Sequence, residues 1–535
     1  MSQTTQRKLR PATWLLQSVS VALAAFLGAT ANAAAPGIAA APGGPSTFNL
    51  TATEAFISQP DGASVYSWGY GCVAAPTPPT FVPEAMAGGT CSTMQIPGPT
   101  LIVTEGQTVT VTLSNQLPAA AGNTSILFPG FKVISTGGVN GLLTKEAKVG
   151  GSVTYSFVAD KPGTHSYYSG TQGDLQIEMG LYGAVIVLPS SVPANCAANE
   201  GAGSGTLNDQ AKAFNHETDF RHKAAAYDHS ASCYDREYLF QFSEIDPRIH
   251  RQVEEQKGTA CTQTTGCLVV ATEPYLPAYY MINGRSMPDD MDPSYAMQYP
   301  HQPYNGNPHM HPGELVLLRV IGQGRWQHPF HEHGNHVRLL ARDGNLLLAK
   351  NRVGLETENR LAGPLLFTTT TTPGQSMDGI FYWTGRGLNW DVFGHGYAGD
   401  ASACVPDAST GYYMNPQAPN YFEWCGDHNK PLEAKPFGNV GSGGPVTLPD
   451  ANIVANGAWY GGSPYLGGEA TGRAVGSTPI PPSGTVGNSP TDEAGFAYMW
   501  HSHNEREITT NNIFPGGMMM MMLVDPRAFL IDESK

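Results

Sequence analysis

The stretch His328-Pro329-Phe330-His331-Glu332-His333-Gly334-Asn335-His336 decides how this chain folds and what it holds. A second piece, Trp500-His501-Ser502-His503, answers it near the C-terminus. On a β-strand successive side chains alternate between faces, so residues two apart share one face. His331 and His333 then look the same way, as do His501 and His503, while Glu332 and Ser502 turn away. Two such pairs on neighbouring strands make a pocket of four imidazole nitrogens. Imidazole suits Cu(II), Ni(II) and Zn(II), and copper heads the affinity order.

The surroundings of both pieces read as strands. Before the first lies Gly313-Glu-Leu-Val-Leu-Leu-Arg-Val-Ile321, and earlier still Glu237-Tyr-Leu-Phe-Gln-Phe242 and Tyr279-Tyr-Met-Ile-Asn-Gly-Arg285. Strands are expected again at 377–383, at 497–503 and from Met518 onward. Nearer the N-terminus, Val109, Val111 and Leu113 alternate with threonines, the period-2 pattern of a half-buried strand. Glu105-Gly106-Gln107 is the turn before them, and further strands are expected at 152–159 and 183–188. Short strands with turn signals at this spacing predict β-sandwiches. Residues 191–234 are polar and mixed and read as a connector. Residues 385–494, rich in Gly, Pro, Ser and aromatics without periodicity, read as a long insert.

Composition agrees. The chain has 535 residues, room for more than one domain, with 62 Gly, 42 Pro and only 14% charged residues. Its formal charge of −15 argues against a nucleic-acid partner. Arg7, Lys8 and Arg10, a largely apolar run from Trp14 to Leu27, and Ala31-Asn32-Ala33 read as a cleaved export signal over residues 1–33. No later stretch is apolar and long enough to span a membrane. All eight cysteines follow the signal, an even number that fits disulfides in a periplasmic or extracellular space. Pairing of neighbours along the chain suggests 72–91, 196–233, 261–267 and 404–425.

The ordered set of pieces resembles the multicopper oxidase family. The set comprises Pro97-Gly98-Pro99-Thr100, Pro162-Gly163-Thr164 leading to Met179-Gly180-Leu181-Tyr182-Gly183, the two histidine pieces, and Pro515-Gly516-Gly517-Met518. The resemblance implies an all-β fold of tandem cupredoxin-like Greek-key β-sandwich domains: one at 44–190 and a second at 235–527 carrying the insert. It also implies copper ligands, position by position. His328 matches the histidine of the type 1 copper site, and Met518 is the candidate axial ligand of that site. His331, His333, His501 and His503 match ligands of the trinuclear cluster.

The departures from the family pattern are large. Ser502 stands where the family has the type 1 cysteine, and a hydroxyl cannot supply a soft thiolate bond. Glu507 stands where a further histidine is expected. In the first domain, Ser125-Ile-Leu-Phe-Pro-Gly130 and Tyr168-Ser169-Gly170 replace two histidine pairs. Half of the cluster ligands are therefore gone, and the expected cofactor is one type 2-like copper on His331, His333, His501 and His503, with His328 retained from the type 1 set.

Two functional readings follow. One is an exported copper-dependent oxidoreductase without a blue-copper relay, acting on a small-molecule or metal-ion substrate, with Glu332, Glu505 and Glu507 as candidates to orient a ligand or move a proton. The other is a non-enzymatic copper carrier or buffer, or an extracellular structural or partner-binding module. The remaining histidines read blandly. His336 is an outer or surface group, His309-Met310-His311 a turn, His165 a packed residue, and His216, His222 and His229 solvated. Met518–Met522 reads as a buried apolar strand.

Overall fold

A computed structural model describes residues 35–39, 46–73, 81–82, 89–197, 223–310, 314–349, 361–383, 462–466, 495–524 and 531. The expected export signal, His216, His222, His311, Cys404, Cys425 and nearly all of the 385–494 insert lie outside them. Among the described residues no helix is long and apolar enough to cross a membrane.

The architecture is all-β: two cupredoxin-like sandwiches, each of two facing sheets. In the first, one sheet runs Ser64–Cys72, Ser46–Ser58, Thr108–Asn115, Ser152–Val158, Ile134–Gly137. Its partner contains Gly163–Tyr168, Tyr182–Leu188 and Leu101–Thr104 in that order. The alternation read from sequence is realised: Val109, Val111 and Leu113 are fully buried and the threonines between them are not. They meet Val153, Tyr155 and Phe157 of the antiparallel neighbour, so both strands turn one face to a single core.

In the second sandwich, one sheet has Arg236–Ile245 between Tyr279–Ile282 and Leu315–Gly322, followed by Ser376–Tyr382 and Val337–Arg342. Arg236–Ile245 and Leu315–Gly322 pair in parallel and are buried on both faces. This explains their near-continuous apolar runs. The facing sheet has Met519–Val524, Gly495–Ser502, His328–Glu332 and Thr368–Thr371 as neighbours. Met518, Met520 and Met522 fill the core between the sheets.

Two glycines of the family motifs have a steric reason. A Cβ at Gly98 would lie 2.7 Å from the Tyr167 hydroxyl, and one at Gly180, where φ is +115°, would lie 2.4 Å from the Trp68 carbonyl. Both are points where strand ends close on the core.

Three features depart from the sequence reading. The 46–72 strand pair was not expected. Neither was the helix Pro247–Gln256, which starts on Asp246 as N-cap, with Pro247 at its first turn. That helix buries Ile249 and Val253 in the core of the first sandwich, each contributing roughly 1.5–3 kcal/mol. The connector's last third is not a solvated link. Ala224, Ala225, Ala226, Tyr227, Cys233 and Tyr234 pack against Leu315, Leu317 and Ile380, and His229, expected in solvent, is buried. The disulfides 72–91, 196–233 and 261–267 form as expected.

The sandwiches meet through buried polar contacts. Thr164 donates to Asp378 at 2.6 Å, and Arg319 lies between Glu237 at 2.9 Å and Asp378 at 3.6 Å. Ser166 bonds Gln323 and Tyr182 bonds Ser243.

Candidate metal centre

The two histidine pieces sit on adjacent antiparallel strands with His331 directly opposite His501, Phe330 opposite Ser502 and Glu332 opposite Trp500. This register sorts the side chains. Phe330 and Trp500 enter the core between the sheets. His331, His333 and His501 take the other face, where one ligand atom from each lies within 4.8 Å of the other two. All three are buried. The Nε2 atoms of His333 and His501 are 3.2 Å apart. His503 follows the end of its strand and is exposed, with its ring centroid 4.9 Å from His331 and 5.6 Å from His501.

Outer contacts orient these rings. His331 Nδ1 meets the Thr368 hydroxyl at 2.9 Å, and His501 Nδ1 donates to the Ser502 carbonyl at 2.7 Å. A proton fixed on Nδ1 leaves the His501 Nε2 lone pair for a ligand. The Trp500 indole donates to the His333 carbonyl at 2.8 Å. Burial, then the neighbouring His501, pushes His331 down to about 4, and burial lowers His501. Both imidazoles are therefore neutral at physiological pH, the form that binds metal. The donor set fits one borderline divalent ion such as copper.

His328, expected as a metal ligand, is placed elsewhere. It points to the core face of its strand, fully buried, and each ring nitrogen meets a carboxylate. Nδ1 lies 2.9 Å from Glu507 Oε2 and Nε2 lies 2.9 Å from Glu244 Oε2. Burial alone would lower its pKa, but hydrogen bonds and charge from Glu244 and Glu507 hold it up at about 9. It is an imidazolium in an ion-paired triad, not a free ligand. Ser502 donates its hydroxyl to the same Glu507 oxygen, and Asn504 Nδ2 donates to the other at 2.9 Å. Met518 is fully buried in the core, and its backbone joins Glu507 and Ser502. A type 1 copper does not fit this set: the thiolate is a hydroxyl, one histidine is a carboxylate, and the other is doubly bonded.

The acidic candidates separate likewise. Glu332 faces the core, accepts from Thr369 at 2.8 Å, and is pushed up to about 8 by burial. Glu505 is exposed and Glu507 buried on the short turn Glu505–Ile508. Glu244 was missed in the sequence. It ends an apolar alternation shared with Phe242, and nothing local marks its partner 84 residues away.

In the first domain, the positions that lost histidine form a closed polar net. Ser125 bonds Thr171 at 2.8 Å, Thr171 donates to Glu146 at 3.0 Å, and Ser169 and Thr124 both donate to Gln176. These hydroxyl and amide groups satisfy one another and offer no metal-binding set. His165 packs against Phe131, the rings tilted by 53°, with its Nε2 2.9 Å from the Lys161 carbonyl. His309, expected in a turn, is buried in the two-residue strand His309–Met310 along Leu523 and Val524. His336 packs on Phe367, which also touches His331.

A family model described as multicopper oxidase matches residues 85–192. An L-ascorbate oxidase from Brassica rapa subsp. pekinensis is 36% identical over 96 residues, 17% of this chain and 16% of the relative. A multicopper oxidase from Talaromyces pinophilus is 37% identical over 98 residues, 18% of this chain and 15% of the relative. The match thus spans about a sixth of these relatives' length. Among solved structures, multicopper oxidase mgLAC aligns over 90% of this chain and 86% of its own at 15% identity, TM-score 0.43. A blue copper oxidase from Nitrosomonas europaea aligns over 90% and 85% at 14% identity, TM-score 0.43. The matched first domain and the histidine pieces, which stand in the family's order, support a likeness to the multicopper oxidase family, with serine where that family's pattern has the type 1 copper cysteine.

Proposed function

We propose that the protein is an exported copper-dependent oxidoreductase working from one type 2-like copper held by His331, His333 and His501, with His503 as a further donor. The observation that carries this reading is the group of three buried imidazoles within 4.8 Å of one another. Copper bound there supplies one-electron exchange with a small-molecule or metal-ion reductant. The chain's own part is to hold neutral imidazoles in place, His331 against the Thr368 hydroxyl and His501 in one tautomer on the Ser502 carbonyl, and to leave one exposed histidine at the edge. Glu505, exposed two residues from His503, is the carboxylate this reading assigns to an incoming ligand. Export is supported by the basic and apolar N-terminal pattern and by three disulfides.

The test is copper content with paramagnetic resonance. The expected result is about one copper per chain, a type 2-like spectrum and no intense blue colour. His331→Ala combined with His501→Ala should abolish loading. Three or four coppers per chain, or an intense sulfur-to-copper band, would overturn the reading. Tight copper without turnover of any phenolic or metal-ion reductant would move it to carriage.

A further inference from the structure

The place where the family keeps its type 1 copper is filled here by Glu244, His328, Glu507 and Ser502. Resting on the reading of a copper centre at His331, His333 and His501, we infer that Glu507 is the positioning residue of that centre. Through His328 it ties the two ligand-bearing strands together.

The geometry is specific. One Glu507 oxygen accepts from His328 Nδ1, three residues before His331, and from the Ser502 hydroxyl, directly after His501. The other accepts from Asn504, directly after His503. A single carboxylate therefore grips both histidine pieces. Its backbone is held too: Glu507 N–H donates to the Asn504 carbonyl, and its own carbonyl accepts from Met518 N–H at 2.8 Å. The Met518 carbonyl in turn accepts from Ser502 N–H at 2.9 Å.

From the far side, Glu244 holds His328 so that the imidazole cannot turn. Its second oxygen is occupied by the N–H groups of Arg325 and Trp326, at 2.7 and 2.8 Å, and by the Tyr275 hydroxyl at 3.2 Å. Tyr275 also donates to Glu178 of the first sandwich at 2.6 Å. Charge-assisted bonds of this kind are short and directional. The cross-link that a copper ion would make between the two strands is made instead by a buried imidazole between two carboxylates. Groups that orient metal ligands from outside commonly change metal affinity 10–100-fold when removed.

The experiment compares Glu507→Ala, Glu507→Gln and Asn504→Ala with Ile249→Ala, a variant in the core of the first sandwich that serves as a stability control. Cu(II) affinity is measured by competition with a chelator, paramagnetic resonance reports ligand geometry, and histidine-selective magnetic resonance is recorded on metal-free protein. Glu507→Ala should bind Cu(II) about 10–100-fold more weakly with altered hyperfine splitting. Glu507→Gln keeps one acceptor oxygen, for Asn504 or for the His328 and Ser502 side but not for both, and should fall between it and the parent. Ile249→Ala should leave both readouts unchanged. Should Glu507→Ala not fold, Asn504→Ala removes one exposed strut and is read in the same way. If affinity, hyperfine splitting and the His501 and His503 ring signals of all three site variants match the parent, the inference is overturned. If the parent takes up no Cu(II), the proposed function fails by itself. The metal-free ring signals then decide: shifts in Glu507→Gln and Asn504→Ala but not in Ile249→Ala support positioning, and unchanged signals refute it.

Discussion

At the scale of single residues, position 502 shows how one substitution redirects a site. A serine hydroxyl there donates to Glu507, and the same carboxylate occupies His328. Ser502→Cys alone should therefore give little sulfur-to-copper absorption, because His328 stays held on both nitrogens. Ser502→Cys with Glu507→His removes the carboxylate from Nδ1 and should give an intense visible band on copper addition. A colourless double variant that loads copper only at His331, His333 and His501 would show that residues 328 and 502 do not converge. The triad also predicts a pH dependence. The folded-state pKa of His328, about 9, lies above its ordinary value. Its stabilisation is then fully present below about 6.5 and is lost as pH rises through about 9. Glu332, raised to about 8, acts in the same direction. The stability difference between the parent and His328→Gln should thus be larger at pH 6 than at pH 10, measured by denaturant titration. A difference that grows with pH would show that His328 is not held as a cation.

At the scale of elements, the strand pair 328–332 and 495–502 works because its two faces carry different chemistry. Phe330 and Trp500 anchor one face in apolar contact, their ring centroids 6.2 Å apart, which sets the register that places His331 opposite His501. The helix Pro247–Gln256 has a different task. Its buried stripe of Ile249, His250 and Val253 joins the first sandwich although the helix follows a strand of the second. His250 bonds the Tyr66 and Glu178 carbonyls, at 2.6 and 3.1 Å. Ile249→Ala should cost about 2–5 kcal/mol in unfolding free energy. Chemical denaturation checks this, and a loss below 1 kcal/mol would show that the helix is not part of the first core.

At the scale of the whole molecule, the two sandwiches are fastened by buried charge. Asp378 accepts from the Thr164 side chain and backbone and from Tyr227, and faces Arg319. Asp378→Ala would leave the Arg319 guanidinium with Glu237 as its remaining acidic partner in that network and strip three donors of their acceptor. Breaking one side of a buried pair costs about 3–5 kcal/mol. The expected outcome is a lower denaturation midpoint and faster proteolysis between the sandwiches. An unchanged midpoint would mean that the interface does not depend on the Asp378 network.

Much of the architecture is local and was therefore legible in the chain itself. Period-2 alternation at 109–113, the parallel-strand apolar runs at 237–242 and 315–321, and the face-sharing of His331 with His333 follow from backbone geometry. Cysteine proximity along the chain sufficed for three disulfides because short loops close most easily. The fate of His328 was not local. Its partners Glu244 and Glu507 lie 84 and 179 residues away, and no pattern around any of the three announces the others. The closed polar net at the lost first-domain positions is also tertiary, since Glu146 lies 25 residues from Thr171, and Gln176 lies 52 residues from Thr124. The chain determined which residue types were available and which faces they share; only folding decided that one histidine would be an ion-paired strut while its neighbours three and five residues on would converge as neutral imidazoles, because desolvation and charge pairing act through space and not along the sequence.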